Sequence, residues 1–219
     1  MRPTLAIVSL LSLPLSAMIN LAQADGLTIT LHGNDRGAPA CVTCHGAQGE
    51  GMPANGFPRL AGLNAGYLQT QLDAFAKGQR ANAMMTPIAQ TLRADEREAV
   101  ARYYAGLSGS ATMIEPIPEM NSVGARLAIQ GRWAQGLPAC MQCHGAMGAG
   151  VGTVFPALAG QSSVYIENQL HAWQRGARAP GPLGLMKVVA SKLSAADIQA
   201  VAAYFSALSA SDPSRGSKP

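Results

Sequence analysis

The sequence predicts an all-α protein built from two tandem domains. The first observation is a repeat: "FPRLAG" (57–62) returns as "FPALAG" (155–160), and "YLQTQLDAFAKGQRA" (67–81) returns as "YIENQLHAWQRGARA" (165–179). Both pairs lie 98 residues apart, which indicates a duplicated unit of about 90 residues. The second observation is that each copy carries apolar residues at helical spacing, with no run that alternates as a strand would.

Each copy shows the signals of the same long helix. In the first copy Tyr67, Leu68 and Phe75 fall on one helical face, and the second copy repeats the pattern. Asn64 is placed to cap the start of this helix, and Gly78 follows its end. In the second copy the cap is Ser162 or Ser163, and Gly176 follows the end.

A further helix closes each copy, in "AVARYYAGLS" (99–108) and "AVAAYFSALS" (200–209). "LSAAD" predicts a capping box on Ser194, whereas the first copy has Arg93 there and we expect no such cap. A shorter helix is expected near the start of each copy, most clearly in "SVGARLAIQGRWA".

Residues 1–24 have the pattern of a cleavable secretory signal peptide. A positive charge at Arg2 precedes an apolar run, and small residues stand at Ala22 and Ala24. The alternative is a membrane anchor, but a proline and an asparagine interrupt the run. We therefore expect an exported, periplasmic protein.

After residue 24 the chain divides into two domains, a linker between them and a C-terminal tail. The copies occupy 25–108 and 122–211. The linker, 109–121, contains Pro116 and Pro118 and lacks helical periodicity, and 212–219 is expected to be a disordered tail.

Charge is distributed unequally between the copies. Residues 25–110 hold seven basic and seven acidic residues, whereas 122–219 hold eight basic and three acidic. No basic run with interleaved aromatics appears, so we predict no nucleic-acid partner. The basic second copy either steers docking to an acidic protein, through Arg175, Arg178 and Lys187, or is an ordinary surface.

All four cysteines of the chain lie in two copies of one motif, Cys-x-x-Cys-His: Cys41, Cys44 and His45 in the first copy, and Cys140, Cys143 and His144 in the second. This spacing is the attachment signature of c-type haem. Two thiols about one helical turn apart can each bond a vinyl group of one porphyrin, and the following histidine can ligate the iron. The motifs therefore predict two covalently bound haem c groups.

Three alternatives explain less of the motif. Disulfides between cysteines three residues apart are strained and leave the histidines unexplained. A thioredoxin-like redox motif needs a βαβ context, which the sequence does not predict. A zinc site built from the four cysteines leaves both histidines unused.

The sixth iron ligand decides what such a haem does. A methionine raises the potential and closes the iron to substrates, which suits electron transfer, whereas an open site suits peroxide chemistry or gas sensing. "MTPIAQTL" from Met85 and "MKVVASKL" from Met186 are equivalent in the two copies. These two are the candidate ligands, with Met84 a competitor for Met85, and the expected role is electron carrier rather than enzyme.

An iron-ligating histidine usually donates its other ring N–H to an acceptor. Pro58 lies 13 residues after His45, and Pro156 lies 12 after His144. Their carbonyls are candidate acceptors, and the alternative is that the prolines only stiffen two loops. Tyr67 is either at the edge of the haem or in the core, as is its equivalent in the second copy.

These motifs together resemble the two-haem cytochromes c4 of the class I cytochrome c group, over essentially all of the chain after residue 24. The resemblance implies two class I cytochrome c domains related by a pseudo-twofold axis, His–Met ligation, and the carbonyls of Pro58 and Pro156 as acceptors for the histidines. Arg93 and the insertion "GPLG" before Met186 depart from the family pattern.

The resemblance also implies a partner and a location. Members are periplasmic, sometimes loosely membrane-associated, and pass electrons from a quinol-oxidising cytochrome complex toward a terminal haem–copper oxidase. The alternative for this chain is the electron-accepting cytochrome subunit of a periplasmic dehydrogenase complex, for example one that oxidises sulfide or an alcohol.

Overall fold

The structure, a computed structural model, describes residues 25–108, 121–179 and 181–208. The predicted signal peptide, nearly all of the predicted linker and the predicted tail lie outside these residues. No helix within the described part is long and apolar enough to cross a membrane.

Ten α-helices lie in the described residues, five in each domain: α1 (25–32), α2 (Val42–His45), α3 (Ala65–Ala76), α4 (Met85–Thr91) and α5 (Ala94–Gly106), then α6 (Val123–Ile129), α7 (Cys140–His144), α8 (Ser163–Gln174), α9 (Leu185–Ser191) and α10 (Ala195–Ala207). The only β-structure among them is isolated bridges. The predicted all-α fold of two tandem domains is confirmed.

The capping residues that the sequence indicates define the long helices. Asn64 accepts a hydrogen bond from the backbone N–H of Tyr67 at the start of α3, and Ser162 does the same for Tyr165 in α8. Gly78 follows α3 with φ +68°, a left-handed conformation that favours glycine.

The last helix of each domain begins with a carboxylate that accepts a backbone N–H. In α10 Asp197 accepts from the Ser194 N–H at 3.0 Å, and Ser194 Oγ accepts from the Asp197 N–H at 3.2 Å, which completes the predicted capping box. For α5 the expectation that no such cap forms is right for the Arg93 side chain and wrong for Glu96. A guanidinium cannot accept a hydrogen bond, but Glu96 accepts from the Arg93 N–H at 2.8 Å.

Two glycines let the first and last helices of each domain cross closely. A Cβ on Gly26 would lie 2.4 Å from the carbonyl oxygen of Ala99, and one on Gly124 would lie 2.2 Å from that of Ala200. Any side chain at either position would push the helices apart. The first and last helices of each domain therefore pack directly against each other.

The two domains meet along a short antiparallel contact. Arg80 and Arg178 form an isolated bridge, flanked by hydrogen bonds from the Ala81 N–H to the Ala177 carbonyl (3.1 Å) and from the Ala179 N–H to the Gln79 carbonyl (2.8 Å). Equivalent segments of the two copies thus pair with each other, as an approximate twofold relation requires.

We predict that Asp197→Asn destabilises the second domain by about 2 kcal/mol at neutral pH, because the carboxylate is buried and pairs with Arg132 as well as with Ser194. Hydrogen bonds from Arg132 and Ser194 lower the pKa of Asp197. The stabilisation is therefore complete above the ordinary Asp pKa of about 3.9 and is lost as the pH falls through the lower folded-state pKa.

Denaturant unfolding at several pH values measures this effect. Asp95→Asn is the matched control. Asp95 lies in the first turn of the equivalent helix α5 and also pairs with an arginine, Arg93, but it is exposed. Equal losses in the two variants, or a difference that persists below the folded-state pKa, would contradict the prediction.

Candidate functional site

Each Cys-x-x-Cys-His motif forms a short helix that ends at a buried histidine. His45 and His144 are both 7% exposed. His45 Nδ1 lies 3.0 Å from the carbonyl oxygen of Pro58, and His144 Nδ1 lies 2.8 Å from that of Pro156. A carbonyl only accepts, so Nδ1 carries the proton and Nε2 keeps its lone pair.

Burial favours the neutral form of both rings. It lowers the pKa of His45 and of His144, and this outweighs the opposing effect of the proline carbonyls. A neutral imidazole with an oriented, unprotonated nitrogen is the form that binds a metal.

Two cavities open beside these histidines, of about 430 Å³ in the first domain and about 320 Å³ in the second. Both volumes lie in the range of roughly 300–1,000 Å³ typical of small-molecule sites. The lining of cavity 1 includes both cysteines of the first motif, His45 and Met85, and cavity 2 holds the equivalent set from the second copy. The structure thus brings together the residues that the sequence singled out within each copy.

Exposure distinguishes the two adjacent methionines of the first domain. Met84 and Met85 both line cavity 1, but Met84 is 49% exposed whereas Met85 is partly buried. Asn82 Oδ1 accepts from both backbone N–H groups and fixes this turn. In the second domain Met186 lines cavity 2 and packs against the core.

A network of arginines lies between the cavities and was not predicted from the sequence. Arg80 is 7% exposed and stacks 4.4 Å from the ring centroid of Phe75 in its own domain. Its guanidinium donates to Gln71 Oε1 (3.0 Å) and crosses the interface to Tyr165 Oη (2.8 Å) and Gln169 Oε1 (2.6 Å). One cation therefore binds polar groups of both domains.

Arg178 makes the twofold-related contacts. It is 8% exposed and stacks 4.0 Å from the ring centroid of Trp173. Its guanidinium donates to Gln169 Oε1 (3.1 Å) and, across the interface, to Gln71 Oε1 (2.7 Å) and Tyr67 Oη (3.4 Å). The idea that Arg178 is a surface docking charge is wrong, because the side chain is buried between the domains.

Tyr67 and Tyr165, the equivalent tyrosines of the two copies, accept hydrogen bonds in this network and do not belong to the core of a single domain only. Tyr67 and Tyr165 each line both cavities. A signal for the network was present in the sequence, since glutamine and arginine stand at equivalent places in both copies of the repeated helix.

A third buried arginine breaks the twofold relation. Arg59 is 4% exposed, and its equivalent in the second copy is Ala157. Its backbone N–H donates to Gln161 Oε1 at 2.9 Å, and its carbonyl accepts from Gln161 Nε2 at 3.0 Å. Its guanidinium reaches across to the Ala159 carbonyl at 2.9 Å and also donates to the Ala61 carbonyl.

The cavities suit haem, which is an apolar macrocycle that carries two carboxylates. Their walls are largely apolar, and no carboxylate among the described residues lines either one. Three buried donors on the walls have no partner within the described part of the chain: Arg59 Nε and the Tyr104 hydroxyl in cavity 1, and Trp173 Nε1 in cavity 2. Buried donors and cations of this kind need acceptors, which the carboxylates would supply.

The cysteines do not fit the alternative readings. No disulfide joins any of the four, and the two pairs line separate cavities, so they do not form one four-cysteine site. Burial raises the pKa of Cys41 and of Cys140 to about 11. Such protonated thiols lack the thiolate character of a redox-active pair.

Comparison with known proteins agrees with this geometry. The family model described as Cytochrome c matches residues 38–108 and 135–209. The chain is 47% identical over 184 residues to a thiosulfate dehydrogenase electron acceptor of Stutzerimonas stutzeri, covering 83% of this chain and 85% of that protein. It is 36% identical over 173 residues to cytochrome c4 of Pseudomonas aeruginosa, covering 78% and 85%.

Two solved structures share the fold. Reduced cytochrome c4 of Pseudomonas stutzeri has a TM-score of 0.73 at 31% identity, covering 85% of this chain and 98% of that one. A thiosulfate dehydrogenase of Marichromatium purpuratum has a TM-score of 0.78 at 42% identity. That match covers 84% of this chain, which spans only 40% of the longer one.

Two domains with these sites define an electron-transferring c-type cytochrome. The chain belongs to the cytochrome c family, and it shares the two-domain architecture of cytochrome c4. The predicted family, the covalently bound haem c and the role of electron carrier are confirmed, and two domains indicate two haems.

Proposed function

We propose that each domain holds one low-spin haem whose iron is closed on both faces, and that the chain carries electrons singly between redox proteins. The residues that would hold the haems are Cys41 and Cys44 (covalent bonds) and His45 and Met85 (iron ligands) in domain 1, with Cys140, Cys143, His144 and Met186 in the same roles in domain 2. The observation that carries this is that each set lines one cavity.

The haem, when bound, supplies an iron that exchanges one electron. The protein residues orient the iron ligands and keep other molecules away from the iron. The carbonyls of Pro58 and Pro156 hold the two imidazoles in one orientation and one tautomer. The methionines would occupy the remaining position and exclude small ligands, and the apolar walls would exclude water.

We expect Met85→Ala and Met186→Ala each to open one of the two irons. Carbon monoxide added to the reduced variant should then shift about half of the visible absorbance, and the corresponding reduction step should fall to lower potential, because a methionine ligand raises it. Met84→Ala is the matched control and should leave the protein indifferent to the gas. A response in Met84→Ala but not in Met85→Ala would reassign the ligand.

We infer that the electron donor is a periplasmic thiosulfate dehydrogenase. Supporting this is the higher identity to relatives named thiosulfate dehydrogenase electron acceptor, 47% and 48%, than to the cytochromes c4, for example 36%. The alternative of a periplasmic dehydrogenase as partner, stated from the sequence, thereby gains a particular substrate, thiosulfate. Transfer from a quinol-oxidising complex to a terminal oxidase is the second candidate, supported by the likeness to cytochrome c4.

The entrance of cavity 2 is the candidate docking face for an acidic partner. Leu185 lines this cavity and is 40% exposed, and Leu183, in the inserted "GPLG", is 91% exposed. Lys187 is exposed on the same helix as Leu185. An apolar centre beside a basic side chain suits a partner that presents acidic groups around its own redox centre.

Mixing the oxidised holoprotein anaerobically with thiosulfate and a thiosulfate dehydrogenase tests the donor. We expect rapid reduction that slows with rising salt, and several-fold slower reduction for Lys187→Glu. Arg102→Glu, an equal charge change at an exposed site of domain 1, should have little effect. Slow reduction by the dehydrogenase, with fast reduction by a quinol-oxidising complex, would favour the second candidate.

A further inference from the structure

We propose that Arg59 makes the two haems unequal, by raising the reduction potential of the haem in domain 1 above that in domain 2. This rests on the haem sites proposed above. The two copies share the residues proposed to hold the haem and the two proline acceptors, so a difference in potential must come from residues that the copies do not share. Arg59 is such a residue, since Ala157 stands in its place in domain 2.

The position of Arg59 links it to one haem site. It directly follows Pro58, whose carbonyl accepts from His45, and it lines cavity 1 but not cavity 2. Its backbone is fixed by the reciprocal pair of hydrogen bonds with Gln161, and its guanidinium is held between carbonyls of Ala61 and Ala159. The cation therefore cannot swing into solvent.

The charge of Arg59 is not balanced by nearby protein groups. No ion pair among the described residues includes it, and its hydrogen-bonding partners are neutral carbonyls. Burial lowers its pKa, but from so high a value that an arginine remains charged. Its Nε is buried and has no hydrogen-bond partner in the part of the chain that the structure describes.

The two cavities also differ in the arginines that line them. Arg80 and Arg178 line both and so affect both haems, whereas Arg59 and Arg175 line cavity 1 alone. Of these two, Arg175 is exposed and screened by water, and Arg59 is buried. Arg59 is therefore the stronger of the two cations that distinguish the sites.

A buried cation favours the reduced form of a nearby iron centre. Reduction removes one unit of positive charge from that centre, so the repulsion with the cation falls by an amount that grows in a low-dielectric interior. Burial, charge and hydrogen bonding around a haem are the means by which a protein sets its potential. One electron given up by a donor protein would then rest in domain 1, and a second would fill domain 2.

Potentiometric titration of the holoprotein, followed by visible absorbance, tests this proposal. We expect Arg59→Gln to move the domain 1 step to lower potential and to leave the domain 2 step nearly in place. A Met186→His background identifies the steps, because replacing a methionine ligand should shift the domain 2 step far downward. If Met186→His moves neither step, the ligand assignment fails, which is a result separate from the effect of Arg59.

Two further variants separate charge from packing. Arg59→Lys keeps the charge, so its domain 1 step should stay close to that of the wild type. Ala157→Arg adds a cation at the equivalent place in domain 2, where Ala157 is partly exposed, and should raise the domain 2 step even if Arg59→Gln fails to fold. The proposal is overturned if Arg59→Gln leaves both steps unchanged, if Arg59→Lys shifts the domain 1 step as much, or if Ala157→Arg raises neither.

Discussion

The reciprocal burial of Arg80 and Arg178 between the domains is the interaction on which the rest of the structure depends. Each guanidinium stacks on an aromatic ring of its own domain and donates across the interface to a glutamine and a tyrosine of the other. Each cavity is thus walled partly by the neighbouring domain. Two buried cations repel each other, and carboxylates of two bound haems would offset this. Folding, domain pairing and cofactor binding are therefore linked.

Departures from the twofold relation give the two equivalent sites different uses. Arg59 places a fixed cation beside one site, and the insertion that carries Leu183 exposes an apolar side chain near the other. The basic excess also lies in the second domain. Under the proposals made above, domain 2 docks the partner and domain 1 takes the first electron, whereas Arg80 and Arg178 lie between the two domains.

The sequence was most informative where function depends on local spacing. A thiol pair, a following histidine and a methionine in register between two copies specify a haem site without knowledge of the fold. Capping by Asn64 and Ser194 was readable for the same reason. The interface was not, because its contacts join residues 85 to 111 positions apart. Arginine is usually exposed, so nothing in the sequence marks Arg59 or Arg178 as buried, although the repeat of Arg80 as Arg178 is visible there.

Counting electrons in the wild-type holoprotein tests most directly whether the chain carries two closed haems. A reductive titration with a calibrated one-electron donor, under carbon monoxide, should consume two electrons per chain and give a reduced spectrum that the gas does not change. Uptake of one electron per chain, or a spectrum that shifts under the gas, would contradict two closed one-electron sites in one molecule.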